Sequence, residues 1–327
     1  MIIAVDAAGG DYYPENPVKG SIQALEEDSD LTVVLVGPEE QVNDELSKHE
    51  YDKKRLLVEH APEIIGMDES PAQAVKTKQN SSIVKGIGMQ KAGKCNAFIS
   101  AGNTGALLAA STFLLGKLEG VSRPTIAAVY PTVKGVRLLL DVGANLEMRP
   151  EMYVQFAHMG KIFAREIMGV ENPQVGLLNV GEEEEKGTDT LKEAYRELRD
   201  LPNFVGNIEG RDIFAGKADV FLCDGLVGNI LLKFGESIPG ALETFIGKGI
   251  KKLGLGQEEA KTVGKVLKAS LAEFDSERIG GVPFLGVDGV SMVGHGSSSP
   301  LAIKNMILNA AKCVDHNINE KIVASLK

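Results

Sequence analysis

Short apolar runs alternate with amphipathic stretches along most of the chain. Residues 2–5 and 31–36 are almost wholly apolar and contain many β-branched side chains, as do the buried strands of parallel sheets. Between such runs, apolar residues recur at helical spacing, for example over residues 83–92. This alternation predicts an open, mostly parallel α/β sheet with helices on both of its faces.

The same pattern gives approximate bounds for each element. The predicted strands cover residues 2–5, 31–36, 56–59, 97–99, 125–129, 136–140, 175–179, 204–206 and 220–223, and two further short apolar runs cover 282–285 and 290–293. The predicted helices cover residues 18–25, 41–48, 70–78, 83–92, 150–167, 190–198 and 302–314, together with one that follows residue 105. Residues 230–278 are predicted to be mostly helical, with a helical insertion at about 240–278. No linker or low-complexity tract divides the chain, so we expect one domain over residues 1–327.

Glycine-rich polar turns follow six of the predicted strands and short apolar runs. They are DAAGGD at 6–11, SAGNTG at 100–105, DVGAN at 141–145, NVGEEEEKG at 179–187, DGLVGN at 224–229 and GHGSSS at 294–299. The carboxyl ends of parallel strands meet at one edge of an open sheet, where ligands bind. We therefore expect the six turns to form one shared small-molecule site.

The turn at 100–105 has the features of an anion site. Gly102 and Gly105 allow the backbone to turn sharply and to approach a ligand closely. Thr104 is a suitable helix cap, and the start of the following helix presents backbone N–H groups and a positive partial charge. Phosphate fits such a turn well, although a strand–helix connection without a ligand has the same pattern.

Three other side chains each have a functional and a structural interpretation. Lys186 follows four carboxylates, so it is either a cation aimed at an oxyanion or part of a solvated charged loop. His295 lies between two glycines and is either a site residue or a structural turn histidine. Cys223 ends a predicted strand, and we expect it to be buried and unreactive.

Composition and missing motifs exclude several classes of function. The formal net charge of −10 argues against nucleic-acid binding, because such proteins carry a basic face. The sequence contains no G-x-S-x-G, H-E-x-x-H or G-x-x-x-x-G-K-[ST] motif, and the first strand is not followed by G-x-G-x-x-G. Cys95, Cys223 and Cys313 match neither a disulfide framework nor zinc-ligand spacing, so we expect a reducing, cytoplasmic compartment.

The turns, taken in order, resemble those of the bacterial phosphate acyltransferases, the acyl-carrier-protein:phosphate acyltransferases of phospholipid synthesis. The resemblance spans nearly the whole chain, and its more specific motifs are SAGNTGAL and LLLDVGAN. The weaker matches are the turn at 6–11, residues 70–82, Arg123-Pro124, GLLNVGEEEEKG, residues 224–229 and HGSS. Ala8 replaces a usual Met, Tyr12 a common His, and Leu226-Val227 an aromatic-Thr pair, which affects the expected pocket shape more than the chemistry.

The resemblance implies a Rossmann-like three-layer α/β/α sandwich related to phosphotransacetylases, usually a homodimer and without a metal or other cofactor. It also implies that inorganic phosphate attacks the thioester of a long-chain acyl-carrier protein. The product would be acyl phosphate, which a membrane acyltransferase uses to make lysophosphatidic acid.

The reaction suggests roles for the turn residues, because phosphate is already a nucleophile and needs mainly positioning and oxyanion stabilisation. We expect Ser100–Gly105 and His295–Ser297 to hold phosphate. We expect Lys186 and Asn229 to polarise the thioester carbonyl, with Asn145 and Asp224 orienting them. The candidate site residues are Asp6, Gly9, Gly10, Asp11, Ser100, Gly102, Asn103, Thr104, Gly105, Asp141, Asn145, Lys186, Asp224, Gly225, Asn229, His295, Gly296 and Ser297.

Lys261, Lys265 and Lys268 lie on one face of a predicted helix within the insertion. Three interpretations stay open and can coexist. The insertion is a dimerisation hairpin, a peripheral contact with an anionic membrane, or a docking surface for the acidic carrier protein.

Two alternative functions use the same fold. One is a phosphotransacetylase-like enzyme that takes acyl-coenzyme A, because the sequence separates acyl carriers poorly. The other is a non-catalytic ligand-binding protein, against which the presence of Lys186, Asn145, Asn229 and His295 together argues.

Overall fold

The computed structural model describes residues 1–272, 277 and 280–327. Its strands are β1 (Ile2–Asp6), β2 (Thr32–Gly37), β3 (Leu56–His60), β4 (Ala97–Ser100), β5 (Thr125–Thr132), β6 (Gly135–Leu140), β7 (Val175–Leu178), β8 (Phe204–Ile208), β9 (Val220–Leu222), β10 (Val282–Leu285) and β11 (Val290–Val293). All nine predicted strands are present, and the two apolar runs at 282–285 and 290–293 are strands as well.

Helices connect most of the strands. They are α1 (Glu15–Glu27), α2 (Glu39–Leu46), α3 (Pro71–Thr77), α4 (Ser82–Lys91), α5 (Thr104–Ala110), α6 (Pro150–Glu166), α7 (Asp189–Leu198), α8 (Gly210–Phe214), α9 (Gly225–Leu253), α10 (Gln257–Ser270), α11 (Pro300–Asp315) and α12 (Ile318–Ser325). A π-helical turn, Ser111–Leu115, continues α5. The short helices α8 and α12 were not predicted from the sequence.

The strands form one sheet in the order β3-β2-β1-β4-β11-β10-β5-β6-β9-β7-β8. On one side of the centre, β3, β2, β1, β4 and β11 run parallel to one another. On the other side, β6, β9, β7 and β8 are also mutually parallel. The mostly parallel α/β sheet is therefore confirmed.

Three antiparallel pairings at the centre reverse the direction of the second half. β11 pairs antiparallel with β10, β10 with β5, and β5 with β6. An odd number of reversals makes β6, β7 and β9 run opposite to β1, β4 and β11. Their carboxyl ends consequently lie at opposite edges of the sheet, and the prediction that all six turns share one edge is wrong.

Helices cover both faces of the sheet, and glycines allow several of these helices to pack closely against neighbouring elements. A Cβ added to Gly86 of α4 would lie 1.9 Å from the Phe98 ring. A Cβ on Gly20 of α1 would lie 2.5 Å from Ile303 of α11. In the second half, Gly160 of α6 packs against Leu140 and Val220 in the same way, with a Cβ reaching 2.6 Å from each. These contacts seat the helices on the strands and fix where the turns between them lie.

The predicted insertion is a helical hairpin whose first arm begins earlier than expected. α9 runs unbroken for 29 residues from Gly225, with Pro239 inside it, and ends at Gly254 in the left-handed conformation. α10 follows after a short turn, and none of its residues is buried. The final part of the predicted insertion, residues 273–276 and 278, lies outside the described residues. In the described part of the chain, no helix has both the length and the apolar character needed to cross a membrane.

Candidate active site

The turns that follow β1, β4 and β11 meet at one edge and form what we term the first-edge cluster: residues 6–11, 100–105 and 294–299. These strands are neighbours in the sheet, so their turns bond directly. The Asp11 N–H donates to the carbonyl of Gly296 at 2.7 Å, and the Gly294 N–H donates to that of Ser100 at 2.9 Å. Gly10 has φ +91°, and a Cβ there would lie 2.9 Å from the Gly296 oxygen. Glycine is therefore required at position 10 for this close approach.

Asp6 and Ser100 form a buried pair at the base of the cluster. The Ser100 hydroxyl donates to Asp6 Oδ2 at 2.6 Å and accepts from the Gly102 N–H at 2.9 Å. Burial raises the pKa of Asp6, while hydrogen bonds from Ser100, Ser82 and the Ala8 N–H act in the opposite direction. The pair fixes the backbone of the 100–105 turn from below.

Asn103, rather than the predicted Thr104, caps α5. The Ala106 N–H donates to Asn103 Oδ1 at 2.9 Å, whereas the Thr104 side chain is exposed. The Asn103 amide group donates to the carbonyls of Gly66, Met67 and Glu69, which ties a preceding loop to the turn. Sequence reasoning missed this loop, because the hydrogen bonds that tie it to the site use backbone oxygens, which any residue provides.

His295 is exposed and its ring is oriented by its own turn. The Ser297 N–H donates to Nδ1 at 3.2 Å, and the Ser297 hydroxyl lies 2.8 Å from the same nitrogen. A backbone N–H can only donate, so we assign the proton of the neutral ring to Nε2. His295 thus presents an N–H donor to solvent at the start of α11, which is capped by Ser299.

The turns after β6, β7 and β9 form what we term the second-edge cluster: residues 141–145, 179–187 and 224–229. Its centre is Asp141, which is 0% exposed. Oδ1 accepts from the N–H groups of Gly143, Ala144 and Ile126, and Oδ2 from the backbone and side-chain nitrogens of Asn145. Burial raises the pKa of Asp141, and these donors oppose that rise.

Two turns of this cluster pack directly against each other. The Gly225 N–H donates to the carbonyl of Asn145 at 2.7 Å. A Cβ on Gly228 would lie 1.8 Å from the Asp141 carbonyl oxygen. Asn229 is exposed, and its amide donates to the Val142 carbonyl at 3.1 Å, which joins the start of α9 to the 141–145 turn. The predicted partners Asn145, Asp224 and Asn229 are therefore neighbours.

Lys186 is exposed on a turn that other side chains hold in place. The Lys186 N–H donates to the Glu183 carbonyl, and the Lys186 carbonyl accepts from the Asn179 amide at 3.1 Å. Asn207 of β8, 3% exposed, donates to the Glu183 carbonyl at 2.8 Å. Lys217 pairs with Glu182 at 2.6 Å, while Lys186 forms no ion pair with a described residue. The Lys186 ammonium therefore stays available on a fixed turn.

An apolar cavity of about 580 Å³ opens between the Lys186 turn and the start of α9. It is lined by Leu178, Asn179, Val180, Gly187, Thr188, Leu191, Gly210, Cys223, Asp224, Val227 and Leu231. Helices α7 and α9 both begin here, capped by Thr188 and Asp224. Cys223 is buried as predicted, and burial raises the pKa of its thiol well above the usual range, so it remains a neutral thiol.

One chain does not bring the two clusters together. The six residues of β6 at about 3.3 Å each separate the two edges by roughly 15–20 Å. Ser100, His295 and their neighbours are thus at the opposite edge from Lys186 and Asn229. Lys261, Lys265 and Lys268 lie apart from both clusters, exposed on α10. Among the described residues, no three His, Cys, Asp or Glu side chains are grouped as a metal site would require.

Comparison with known proteins identifies the family. The model of a family described as "Fatty acid synthesis protein" matches residues 1–321. Phosphate acyltransferase of Chlorobaculum parvum is 47% identical over 100% of this chain and 99% of its own, and that of Chlorobaculum tepidum is 49% identical over 97% and 99%. The chain belongs to the phosphate acyltransferase family. It is an acyltransferase by this membership.

Solved structures of low sequence identity share the fold. A phosphotransacetylase from Streptococcus pyogenes superposes with a TM-score of 0.61 at 16% identity, covering 96% of this chain and 94% of its own. A branched-chain phosphotransacylase from Enterococcus faecalis gives 0.58 at 17% identity, covering 95% and 99%. The expected relation of this fold to phosphotransacetylase-type folds is thereby confirmed.

Proposed function

We propose that this chain transfers a long-chain acyl group from acyl-acyl-carrier protein to inorganic phosphate. The product, acyl phosphate, would serve phospholipid synthesis through lysophosphatidic acid. Family membership supports acyl transfer to phosphate. The observation that carries the reaction to a place in the fold is the apolar cavity lined by Gly187, the residue after Lys186, and by Val227 and Leu231 of α9. It offers apolar walls for an acyl group next to an exposed cation.

The chemistry requires little beyond positioning and charge stabilisation. A phosphate oxygen attacks the thioester carbonyl carbon, and the carbonyl oxygen becomes an oxyanion. That intermediate collapses as the C–S bond breaks, and the carrier leaves as a thiolate that takes up a proton. Lys186 and the Asn229 amide are the donors we assign to the developing oxyanion. Asp224 and Asn145, which bond the surrounding backbone, hold these groups in orientation.

Because the second half of the sheet is reversed, only some of the predicted groups lie at the same edge as the thioester and can bind the phosphate there. In one chain, the phosphate meets the thioester at the second edge, where the starts of α7 and α9 present backbone N–H groups. The phosphate cradle predicted at Ser100–Gly105 and His295–Ser297 lies at the other edge, so it can act on this thioester only from a partner chain. Lys186→Ala and His295→Ala, assayed separately and then mixed, distinguish the arrangements, because a single-chain site leaves His295→Ala active, whereas a site shared between two chains makes each variant inactive on its own. Regained turnover in the mixture would place the reaction between two chains and contradict the single-chain site.

The activity itself is tested by supplying palmitoyl-carrier protein or palmitoyl-coenzyme A with phosphate and measuring acyl phosphate by hydroxylamine trapping. We expect product from the carrier-protein donor. Product from coenzyme A alone would favour the phosphotransacetylase-like alternative. Absence of product from both donors, in a folded sample, would leave only a ligand-binding role.

The helical hairpin supports a proposal about how the protein assembles and where it acts. Along α9, apolar side chains stand exposed, among them Phe234 at 61%, Phe245 at 65% and Leu253 at 74%. The lysines of α10 are exposed as well. We assign this surface to homodimerisation along α9 and to peripheral contact of α10 with an anionic membrane, near the downstream membrane acyltransferase. The proposed setting is therefore the cytoplasmic side of a membrane.

A further inference from the structure

We propose that the cavity at the second edge binds the acyl chain of the donor thioester, and that its depth limits the length of chain accepted. This inference rests on the proposed function and adds a location for the acyl group. The cavity volume of about 580 Å³ falls within the usual range of small-molecule sites, about 300–1,000 Å³.

The walls of the cavity are aliphatic. Leu178, Leu191, Val227 and Leu231 come from β7, α7 and α9. Val180 at the rim is 80% exposed and Val227 is 38% exposed. Binding is favoured when a ligand removes such apolar surface from water. An alkyl chain can cover it without needing hydrogen-bond partners.

The polar groups of the lining are already engaged with the protein. Asn179 donates to the Lys186 carbonyl and accepts from the Val180 N–H. Thr188 accepts from the Leu191 N–H, and Asp224 from the Val227 N–H. A base or sugar would find few uncommitted partners here. The lining therefore suits an acyl chain better than the nucleotide part of a coenzyme.

The cavity wall contains no group that would attack a thioester. The Cys223 thiol is the one sulfur among the lining residues, and its Sγ lies 3.5 Å from the Asp141 carbonyl oxygen, to which it donates. Thiolate, rather than thiol, is the attacking form, so this neutral group is inert. A chain seated in the cavity places its thioester at the mouth, beside the turn that carries Lys186.

Narrowing the cavity tests the inference. Leu231→Trp should shift the preferred donor toward shorter chains, with kcat/KM falling about fourfold for each methylene no longer buried. An octanoyl donor should be used as well by the variant as by the original protein. Ile230→Trp is the matched control. Ile230 precedes Leu231 in α9, is 60% exposed and does not line the cavity. An unchanged chain-length profile in a folded, active Leu231→Trp enzyme would overturn the proposal.

A binding measurement separates this inference from the proposed function. The chain contains no Trp, so Val180→Trp places a single indole at the cavity rim. Adding palmitoyl-carrier protein should shift its emission to shorter wavelength, while acetyl-carrier protein should not. Leu57→Trp on β3 is the control and should respond to neither donor. Equal responses at both positions, or none at Val180→Trp with an active enzyme, would contradict the cavity as acyl site. Loss of turnover with every donor would instead refute the proposed function.

Discussion

Asp141 shows how one buried carboxylate can organise a turn. Five donors, four from the backbone and one from the Asn145 side chain, converge on its two oxygens. The same residue accepts from the Cys223 thiol through its carbonyl. The shape of the 141–145 turn therefore depends on a carboxylate at this position, because its two oxygens accept all five hydrogen bonds.

Asp141→Asn should lower the free energy of unfolding by about 2–4 kcal/mol, because the new amide nitrogen faces donors and leaves at least two of them unpaired. Denaturant unfolding measures this change. Asp52→Asn is the control, since Asp52 also accepts a backbone N–H but is exposed, and it should cost less than about 1 kcal/mol. A fully stable Asp141→Asn protein would refute this role.

Lys186→Ala should reduce turnover by about two to three orders of magnitude, the usual effect of removing one oxyanion donor. Its free energy of unfolding should stay unchanged, because the side chain forms no ion pair with a described residue. Lys192→Ala on the nearby α7 serves as control and should keep full activity. Near-normal turnover of Lys186→Ala would remove this residue from the mechanism.

Among the elements, α9 has two different surroundings along its length. Its first turn is wedged against the 141–145 turn, whereas the rest extends away from the sheet. The space around two of its glycines shows this difference in packing. A Cβ on Gly228 meets the Asp141 oxygen at 1.8 Å, and one on Gly240 meets nothing within 4 Å.

Gly228→Ala should therefore destabilise the protein and separate Asn229 from the 141–145 turn. Gly240→Ala, on the same helix, should stabilise it by about 0.5–1 kcal/mol, because alanine loses less conformational entropy in a helix. Thermal unfolding of both variants makes the comparison. Equal effects of the two substitutions would show that the close contact at Gly228 is relieved at no cost.

The exposed α10 should bind anionic lipid surfaces through its lysine face. Charge reversal at Lys261, Lys265 and Lys268 should abolish flotation with vesicles that contain an anionic lipid, and salt should weaken binding of the original protein. Vesicles of phosphatidylcholine alone provide the control. Unaltered flotation after charge reversal would leave the apolar surface of α9 as the membrane contact.

For the molecule as a whole, an ion-pair network fastens the C-terminal helix. Glu166 at the end of α6 contacts Lys321 of α12 at 2.6 Å and Arg165 at 2.8 Å. These cations lower the pKa of Glu166 from 4.5 to about 2, with Lys321 the larger cause. The folded state therefore favours the carboxylate, which stabilises the fold above pH 4.5 and loses this effect as the pH falls toward 2.

Glu166→Gln should thus cost stability at neutral pH and little at pH 2. Lys321 and Arg165 are 40% and 49% exposed, so solvent screens the network and we expect a loss of about 1 kcal/mol. Denaturant unfolding at pH 7, 4 and 2 gives the comparison. A difference between the two proteins that does not shrink on acidification would contradict this account.

Nine strands were predicted from the sequence, because each is a short buried apolar run between turns, and β10 and β11 were recognised only as apolar runs. The direction of the strands in half of the sheet was not predicted, because the hydrophobic pattern of a strand is the same whichever way the strand runs. A usable signal was nevertheless present. β5 and β6 are separated by Val133 and Lys134 alone, and so short a connection joins only antiparallel strands. The same reasoning applies to β10 and β11, four residues apart, but the third reversal pairs β10 with β5, which are distant in the chain, so local sequence could not separate the two edges.

The candidate site was predictable turn by turn but not as an assembly. Each turn carries its own glycines and polar residues, which local sequence shows. The cap of α5 was assigned one residue late, since Asn103 and Thr104 are both good caps and only the tertiary contact to residues 66–69 selects Asn103. The cavity could not be predicted, because it forms between helices that are distant in sequence.

The position of β11 has a consequence for synthesis on the ribosome. β4 pairs with β1 on one side and with β11 on the other, so its second side stays unpaired until β11 has left the ribosome. Strands β5–β9, by contrast, are contiguous in the chain and can pair as soon as they leave the exit tunnel. Nascent chains halted after residue 272 should therefore protect amides of β6 and β9 from hydrogen exchange, while the side of β4 that faces β11 in the full chain stays open to exchange. The strands β1–β4 and β5–β9 would then form as two separate groups, and β10 and β11 would join them last.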